Sequence, residues 1–414
     1  MKFAALTDRI RSTGSRAWDL HYEAVRRMAA GEAAPDAYLL LSVGDPDFDT
    51  PRVITDAAIA SLNAGHTHYT EMSGTTALRR LLADEYAARI GAPVLPDQVT
   101  VLAGAQNALF ATCLTLLDPG DEVVIFDPVY VTYRDTLGVC GAQPVVVPTR
   151  SEDDFLPCPD AIAAAITPRT RAILINDPNN PTGAVIPEAI WRAIAEIAIA
   201  HDLWVIVDEV YRALHYPGHP VPFTLASLPG MAERTVVVSS LSKSHAMSGW
   251  RLGWSIGPAA FGAHAARLNI VMLYGGPEFI QDAACTALRE GARFAADMAR
   301  AYADRADVVI ATLHRTAALR AIIPRAGMFV MVDIRPCGIT AGDFAARLFE
   351  QTGIVVLAGE AFGDQAAGHI RIGLVHDKDV LQAACERIGR FALSLQRTPG
   401  APGQFGDIVP GNAA

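Results

Sequence analysis

Lysine is nearly missing from this chain: of 34 basic residues only three are lysines, Lys2, Lys243 and Lys378. Lys2 is at the terminus and Lys378 lies in the polar run His376-Asp377-Lys378-Asp379, both ordinary places for a surface cation. Lys243 is different. It follows the apolar run Thr235–Val238 and sits in Ser239–Gly253, which reads Ser-Ser-Leu-Ser-Lys-Ser-His-Ala-Met-Ser-Gly-Trp-Arg-Leu-Gly. A chain that uses arginine almost everywhere for charge has kept here what arginine lacks, an amine that can lose its proton and attack a carbonyl. Taken alone, a lysine after a strand needs no such role, so its neighbours must decide.

Other absences narrow the class. No apolar stretch reaches the roughly 18 residues of a membrane span, and Thr7-Asp8-Arg9 interrupts the N-terminus before a signal-peptide core forms. A net charge of −10 with no long basic run argues against nucleic acid or an anionic membrane as partner. The six cysteines, Cys113, Cys140, Cys158, Cys285, Cys337 and Cys385, show no Cys-x-x-Cys spacing and no nearby histidines. They read as reduced, mostly packed thiols of a cytoplasmic protein without a metal site. Hydrophobic residues make up 51% of the chain and charged ones only 19%, which suits much buried strand.

At 414 residues two domains are expected. Residues 1–47 read as an N-terminal arm and part of a small domain, with a periodic Trp18, Tyr22, Val25, Met28 face. Residues 48–285 alternate strand and helix patterns, the signature of an α/β domain with a mainly parallel sheet. Strands are predicted at Val99–Gly104, Glu122–Asp127, Gln143–Pro148, Thr170–Asn176, Leu203–Asp208 and Thr235–Ser240, with helices at Ala105–Leu117 and Pro187–His201. Residues 286–396 change to an α+β pattern: a helix over Ala292–Thr316, a strand within Gly327–Asp333, a helix near Ala341–Thr352, the strand pair Ile354–Leu357 and His369–Leu374, and a last helix. The tail 397–414 is rich in Pro, Gly and Ala and is expected to be disordered.

In open α/β sheets ligands gather at the carboxyl ends of the strands. Gly104-Ala105-Gln106 ends one strand and opens a helix, whose N-terminus suits an anion. Asp208 ends the apolar strand before Glu209-Val210-Tyr211, and a buried carboxylate there needs a partner: an arginine, a helix cap or a protonated ring nitrogen. Asn180 lies in the turn-rich Asn176-Asp177-Pro178-Asn179-Asn180-Pro181-Thr182-Gly183. Ser240, Ser242 and Arg251 bracket Lys243 with groups that suit a phosphate. Together they meet the needs of pyridoxal 5′-phosphate, whose ring is an electron sink that the protein positions.

With these residues in place, the chain resembles the class I/II aminotransferases of pyridoxal-phosphate fold type I, the aspartate aminotransferase superfamily. The likeness covers about Leu41 to Arg390 and rests on Asn-Asn-Pro-Thr-Gly, Asp-Glu-Val-Tyr and Ser-Lys-x-x-x-Met-x-Gly-Trp-Arg in that order. It implies a large domain with a seven-stranded, mainly parallel sheet flanked by helices, and a smaller α+β domain. It implies the cofactor bound as an imine to Lys243, Asp208 on the ring nitrogen, and Tyr211 and Asn180 on the ring oxygen. Ala105, Gln106, Ser240 and Arg251 would hold the phosphate and Tyr130 would stack on the ring. Tyr69 would reach the phosphate of a neighbouring subunit, so a homodimer is implied. Arg371, beside Gly44, would grip the substrate carboxylate as a bidentate pair.

The expected reaction is a ping-pong transfer from an L-amino acid to a 2-oxo acid, with the freed Lys243 amine moving the α-proton. A lyase or oxidase on the same fold would share the cofactor shell, and Arg371 favours transamination. A ligand-sensing module would need an added DNA-binding segment, which the roughly forty non-basic residues before Gly44 do not supply. Within the family, Leu41–Asp49, Ser242–Met247, Met272–Cys285 and Gly327–Asp333 are most similar to transaminases acting on arginine and pyruvate. A buried guanidinium needs an acid, and the sequence offers Glu278 or Glu71.

Overall fold

The computed structural model describes residues 6, 10, 18–34 and 37–396. The tail 397–414 and most of the first seventeen residues lie outside the described residues. The strands are, in chain order, β1 (Leu39–Leu40), β2 (Val99–Leu102), β3 (Glu122–Asp127), β4 (Gln143–Pro148), β5 (Thr170–Asn176), β6 (Trp204–Asp208), β7 (Thr235–Ser240), β8 (Gly253–Ile256), β9 (Arg320–Ala321), β10 (Phe329–Asp333), β11 (Ile354–Val355), β12 (Leu357–Ala358) and β13 (His369–Gly373).

Seven of them form one sheet in the order β2-β8-β7-β6-β5-β3-β4. Pairing is parallel from β7 to β4, while β8 runs antiparallel to both β2 and β7. Every residue of β3 is buried, as a strand covered on both faces requires. Successive side chains point to opposite faces: Val205, Val207 and Val237 join a core with Leu82, Trp191 and Ile194, whereas Ile206 and Val238 join one with Leu109 and Leu137. Helices Thr76–Ile90, Glu188–Ala200 and Glu278–Glu290 supply the first core and Ala105–Leu116 and Tyr133–Cys140 the second.

A second, antiparallel sheet of order β12-β13-β10-β9 packs with helices Ala292–Leu313, Ala341–Thr352 and Lys378–Gln396 around Phe329, Phe344, Ile370 and Ile388. The chain's N-terminal segment joins this part. β1 pairs parallel with β11, and Arg305 of the long helix holds Asp47 through two hydrogen bonds of 2.8 Å.

Three details differ from the sequence pattern. The pattern alone shows six strands of the large sheet; the seventh, β8, has only four residues and opens on glycine, too short for alternation to register. Ile354–Leu357 is two strands, β11 and β12, which join different sheets. Helix Asp19–Ala29 turns Leu20 and Ala24, rather than Tyr22 and Val25, onto Phe349 and Val355. Tyr22 is 62% exposed.

Parallel pairing brings the carboxyl ends of the strands together. Asn176 at the end of β5 is in register with Asp208 at the end of β6, and Asp208 with Val238, two residues before the end of β7.

Candidate active site

Between these strand ends and helix Ala105–Leu116 lies a cavity of about 160 Å³. It is lined by Ala105, Gln106, Tyr130, Asn180, Asp208, Tyr211, Ser240, Lys243 and Arg251, so the fold brings these predicted residues into one place.

One end is built for an anion. Gly104, with φ of +87°, turns the chain from β2 into the helix, and that helix has no side-chain cap. Its first N–H groups therefore face the cavity end beside Arg251. A Cβ at Gly104 would overlap the Arg251 guanidinium. Arg251, itself at φ of +52°, donates from Nη1 to the Ser248 carbonyl at 2.7 Å. Gln106 is tied to the next helix, accepting from Thr132 at 2.7 Å and donating to Thr136 at 2.9 Å.

At the other end Asp208 is buried with two donors and no cation: Tyr133 Oη donates to Oδ2 at 2.6 Å and the Val210 N–H to Oδ1 at 3.1 Å. Burial pushes its carboxyl up to about 6 despite these bonds. Asn176 fixes the strand ends by donating to the Asp208 carbonyl at 3.0 Å and accepting from the Asn180 N–H at 2.7 Å. Asn180 then bridges two functional groups, donating to Tyr211 Oη at 3.5 Å and accepting from Arg371 Nη1 at 2.8 Å. Tyr130 meets Tyr133 edge-on at 5.7 Å.

Lys243 is partly buried, and its Nζ donates to the Gly44 carbonyl at 2.7 Å. Burial lowers its pKa, Asp45 opposes this, and Arg371 and Arg251 add to the lowering. Arg371 is buried between two rings, 3.9 Å from the Phe329 centroid and 4.9 Å from that of Phe362, and its Nη2 donates to the Ser42 carbonyl at 2.6 Å. Its Nε lacks a partner.

This donor set fits pyridoxal phosphate: an uncapped helix end with an arginine for the phosphate, a buried carboxylate lacking its cation, and an amine whose neutral form burial favours.

Three predicted residues lie outside this chain's own cavity, and of these Tyr69 is expected at a neighbouring subunit's cavity. Tyr69 is 83% exposed and packs on Tyr274. Glu278 lies 4.0 Å from His66, and Glu71 accepts from Thr76 at 2.8 Å. Neither lines the cavity. Sequence reasoning missed Tyr133, Asn176, Phe329 and Phe362. For Tyr133 a signal existed, since it stands three residues after Tyr130 at a helix start.

The family profile described as "Aminotransferase class I and II" matches residues 36–388. This chain is a class I and II aminotransferase. It is 53% identical over 395 residues to an arginine–pyruvate transaminase of Pseudomonas aeruginosa, covering 95% of this chain and 99% of that one. An aspartate/prephenate aminotransferase of Thermus thermophilus is 36% identical over 354 residues, covering 84% and 90% of the two chains. Among solved structures, Thermus thermophilus aspartate aminotransferase with maleate superposes with a TM-score of 0.87 at 32% identity, covering 94% of this chain and 100% of that one. The aminotransferase is thus pyridoxal-phosphate dependent, and its fold is type I.

Proposed function

We propose that this aminotransferase moves the amino group of L-arginine to pyruvate, giving the 2-oxo acid of arginine and alanine. The observation that carries the substrate pair is the 53% identity, along nearly the whole chain, to the Pseudomonas aeruginosa enzyme.

When bound, the cofactor supplies a carbonyl carbon and a ring that withdraws electrons from the substrate Cα. The protein's side chains do the rest. The N-terminus of helix Ala105–Leu116, with Gln106, Ser240 and Arg251, would hold the phosphate. Asp208 would face the ring nitrogen, Tyr211 and Asn180 the ring oxygen, and Tyr130 the ring face. Arg371, freed from the Ser42 carbonyl, would grip the substrate carboxylate as a two-pronged pair beside Gly44. Lys243 would hold the cofactor covalently and, once the substrate amine has taken its place, would as a free neutral amine take the proton from the substrate Cα and return it to the cofactor carbon. Burial of Lys243 supports this role, because the base must be unprotonated.

The same reading pairs two chains, with Tyr69 reaching across to the other cavity. It divides the chain into a cofactor domain of residues 48–285 and a smaller domain of residues 286–396 joined by residues 1–47, in line with the separate hydrophobic cores. All six cysteines are free, which supports a reducing, cytoplasmic setting. Among the described residues no helix is long and apolar enough to cross a membrane.

The test is the absorbance of the holoenzyme before and after L-arginine and then pyruvate. The band of the lysine-bound cofactor should fall with arginine and return with pyruvate. If arginine does nothing while another amino acid bleaches the band, the substrate pair is wrong and the aminotransferase remains.

A further inference from the structure

The loop between β7 and β8, residues 241–252, carries Lys243 and Arg251, and both line the cavity. Two of its residues, Ala246 at φ of +50° and Arg251 at φ of +52°, have the left-handed backbone that side chains disfavour. Such a turn persists only where its surroundings hold it.

A hydroxyl from 196 positions earlier does so. Thr50 Oγ1 donates to the Ala246 carbonyl at 2.5 Å and accepts from Trp250 Nε1 at 3.0 Å. A threonine hydroxyl has one proton to give and lone pairs to accept with, so this one group ties the first left-handed residue to the neighbour of the second. Thr50 is itself fixed: Asp47, three residues before it, is held by Arg305, and Pro51 after it opens helix Arg52–Asn63.

Two other ties of the loop run through the functional side chains, Lys243 Nζ to the Gly44 carbonyl at 2.7 Å and Arg251 Nη2 to the Ala103 carbonyl at 3.4 Å. Those ties compete with the cofactor for the same donors. The Thr50 bridge uses neither side chain, so it stays in place while they engage a ligand. Thr50, Ala246 and Trp250 belong to one chain, and the bridge does not depend on how two chains pair.

We infer that Thr50 is a positioning residue of this aminotransferase, its hydroxyl holding the lysine loop in the backbone conformation that presents Lys243 and Arg251 to the cavity. The inference rests on the reading of Lys243 and Arg251 as cofactor ligands given above and adds the group that sets them. Thr50 does not line the cavity; it acts through Ala246 and Trp250 alone.

The test uses full-length Thr50→Val, which keeps the shape and removes the hydroxyl, Thr50→Ser, which keeps the hydroxyl, and Lys243→Ala. Each cofactor-free protein is mixed with pyridoxal phosphate, and the absorbance of the lysine-bound cofactor gives its rate of formation, its pH midpoint and, by titration, the affinity. Thr50→Val should form the band about tenfold more slowly, bind about tenfold more weakly and show a displaced midpoint, while Thr50→Ser stays within about twofold of wild type in rate and affinity. A role in stability alone would lower the Tm of Thr50→Val and leave rate and midpoint in place, and that result would overturn the inference. So would equal losses in Thr50→Val and Thr50→Ser. Trp250→Phe removes one of the two bonds and decides the matter if Thr50→Val does not fold: a rate about threefold slower is expected, and an unchanged rate overturns the inference. A band that forms in Lys243→Ala would remove the reading of Lys243 itself, and the role of Thr50 with it.

Discussion

At the scale of single residues the site is organised by what burial does to charge. Asp208 loses hydration, gains bonds only from Tyr133 and Val210, and its carboxyl rises to about 6 from an ordinary 3.8. A folded-state value above the unfolded one means that this group's contribution to stability is full below about 3.8 and is lost as pH rises through about 6. The cofactor-free protein should therefore lose thermal stability between pH 4 and 7 more steeply than Asp208→Asn, which carries no titrating group there. Parallel Tm slopes for the two proteins would show that Asp208 is not the titrating carboxyl. Asp208 and Lys243 were legible in the sequence because each is an exception, an acid ending an apolar strand and a lysine in an arginine-rich chain. The partner of Tyr133 was not, since a tyrosine's own sequence context does not say that its hydroxyl meets a carboxylate 75 positions away.

Elements turn these residues into a site. The proposed phosphate end depends on one backbone conformation, the positive φ of Gly104, which lets β2 pass into helix Ala105–Leu116 with Arg251 lying where a side chain would go. Gly104→Ala should strain that turn and displace the guanidinium. We expect cofactor affinity to fall by about tenfold or more, together with a loss of cofactor-free stability of about 1–3 kcal/mol from the strained turn. Equilibrium dialysis of pyridoxal phosphate against both proteins measures it, and unchanged affinity would remove the helix end from the phosphate site. Helix and strand bounds were readable where periodicity ran for five residues or more, as at β3 to β7. β8 escaped because four residues opening on glycine show no alternation, and β11 and β12 were read as one strand because nothing local marks the break at Val356.

For the whole molecule the exposed residues carry the argument. Tyr69 at 83%, Tyr274 at 51% and Val271 at 80% are large side chains left to solvent in a single chain, and the proposed pairing of two chains would cover them. Sedimentation should give a dimer, and Tyr69→Phe should keep it while weakening cofactor retention several-fold, on the scale of one lost hydrogen bond. A fully active monomer would end the shared-site reading. By itself the sequence determined the family, the cofactor chemistry and most of the cavity lining, because those residues follow strand ends and parallel pairing must bring strand ends together. Only the tertiary structure decided which groups partner them. It placed Phe329 and Phe362 on Arg371, set Glu278 4.0 Å from His66 and Glu71 on Thr76, and brought the Gly44 carbonyl to the Lys243 amine. Local pattern reports the period and burial of a segment; the distance between segments is set by packing across the whole chain.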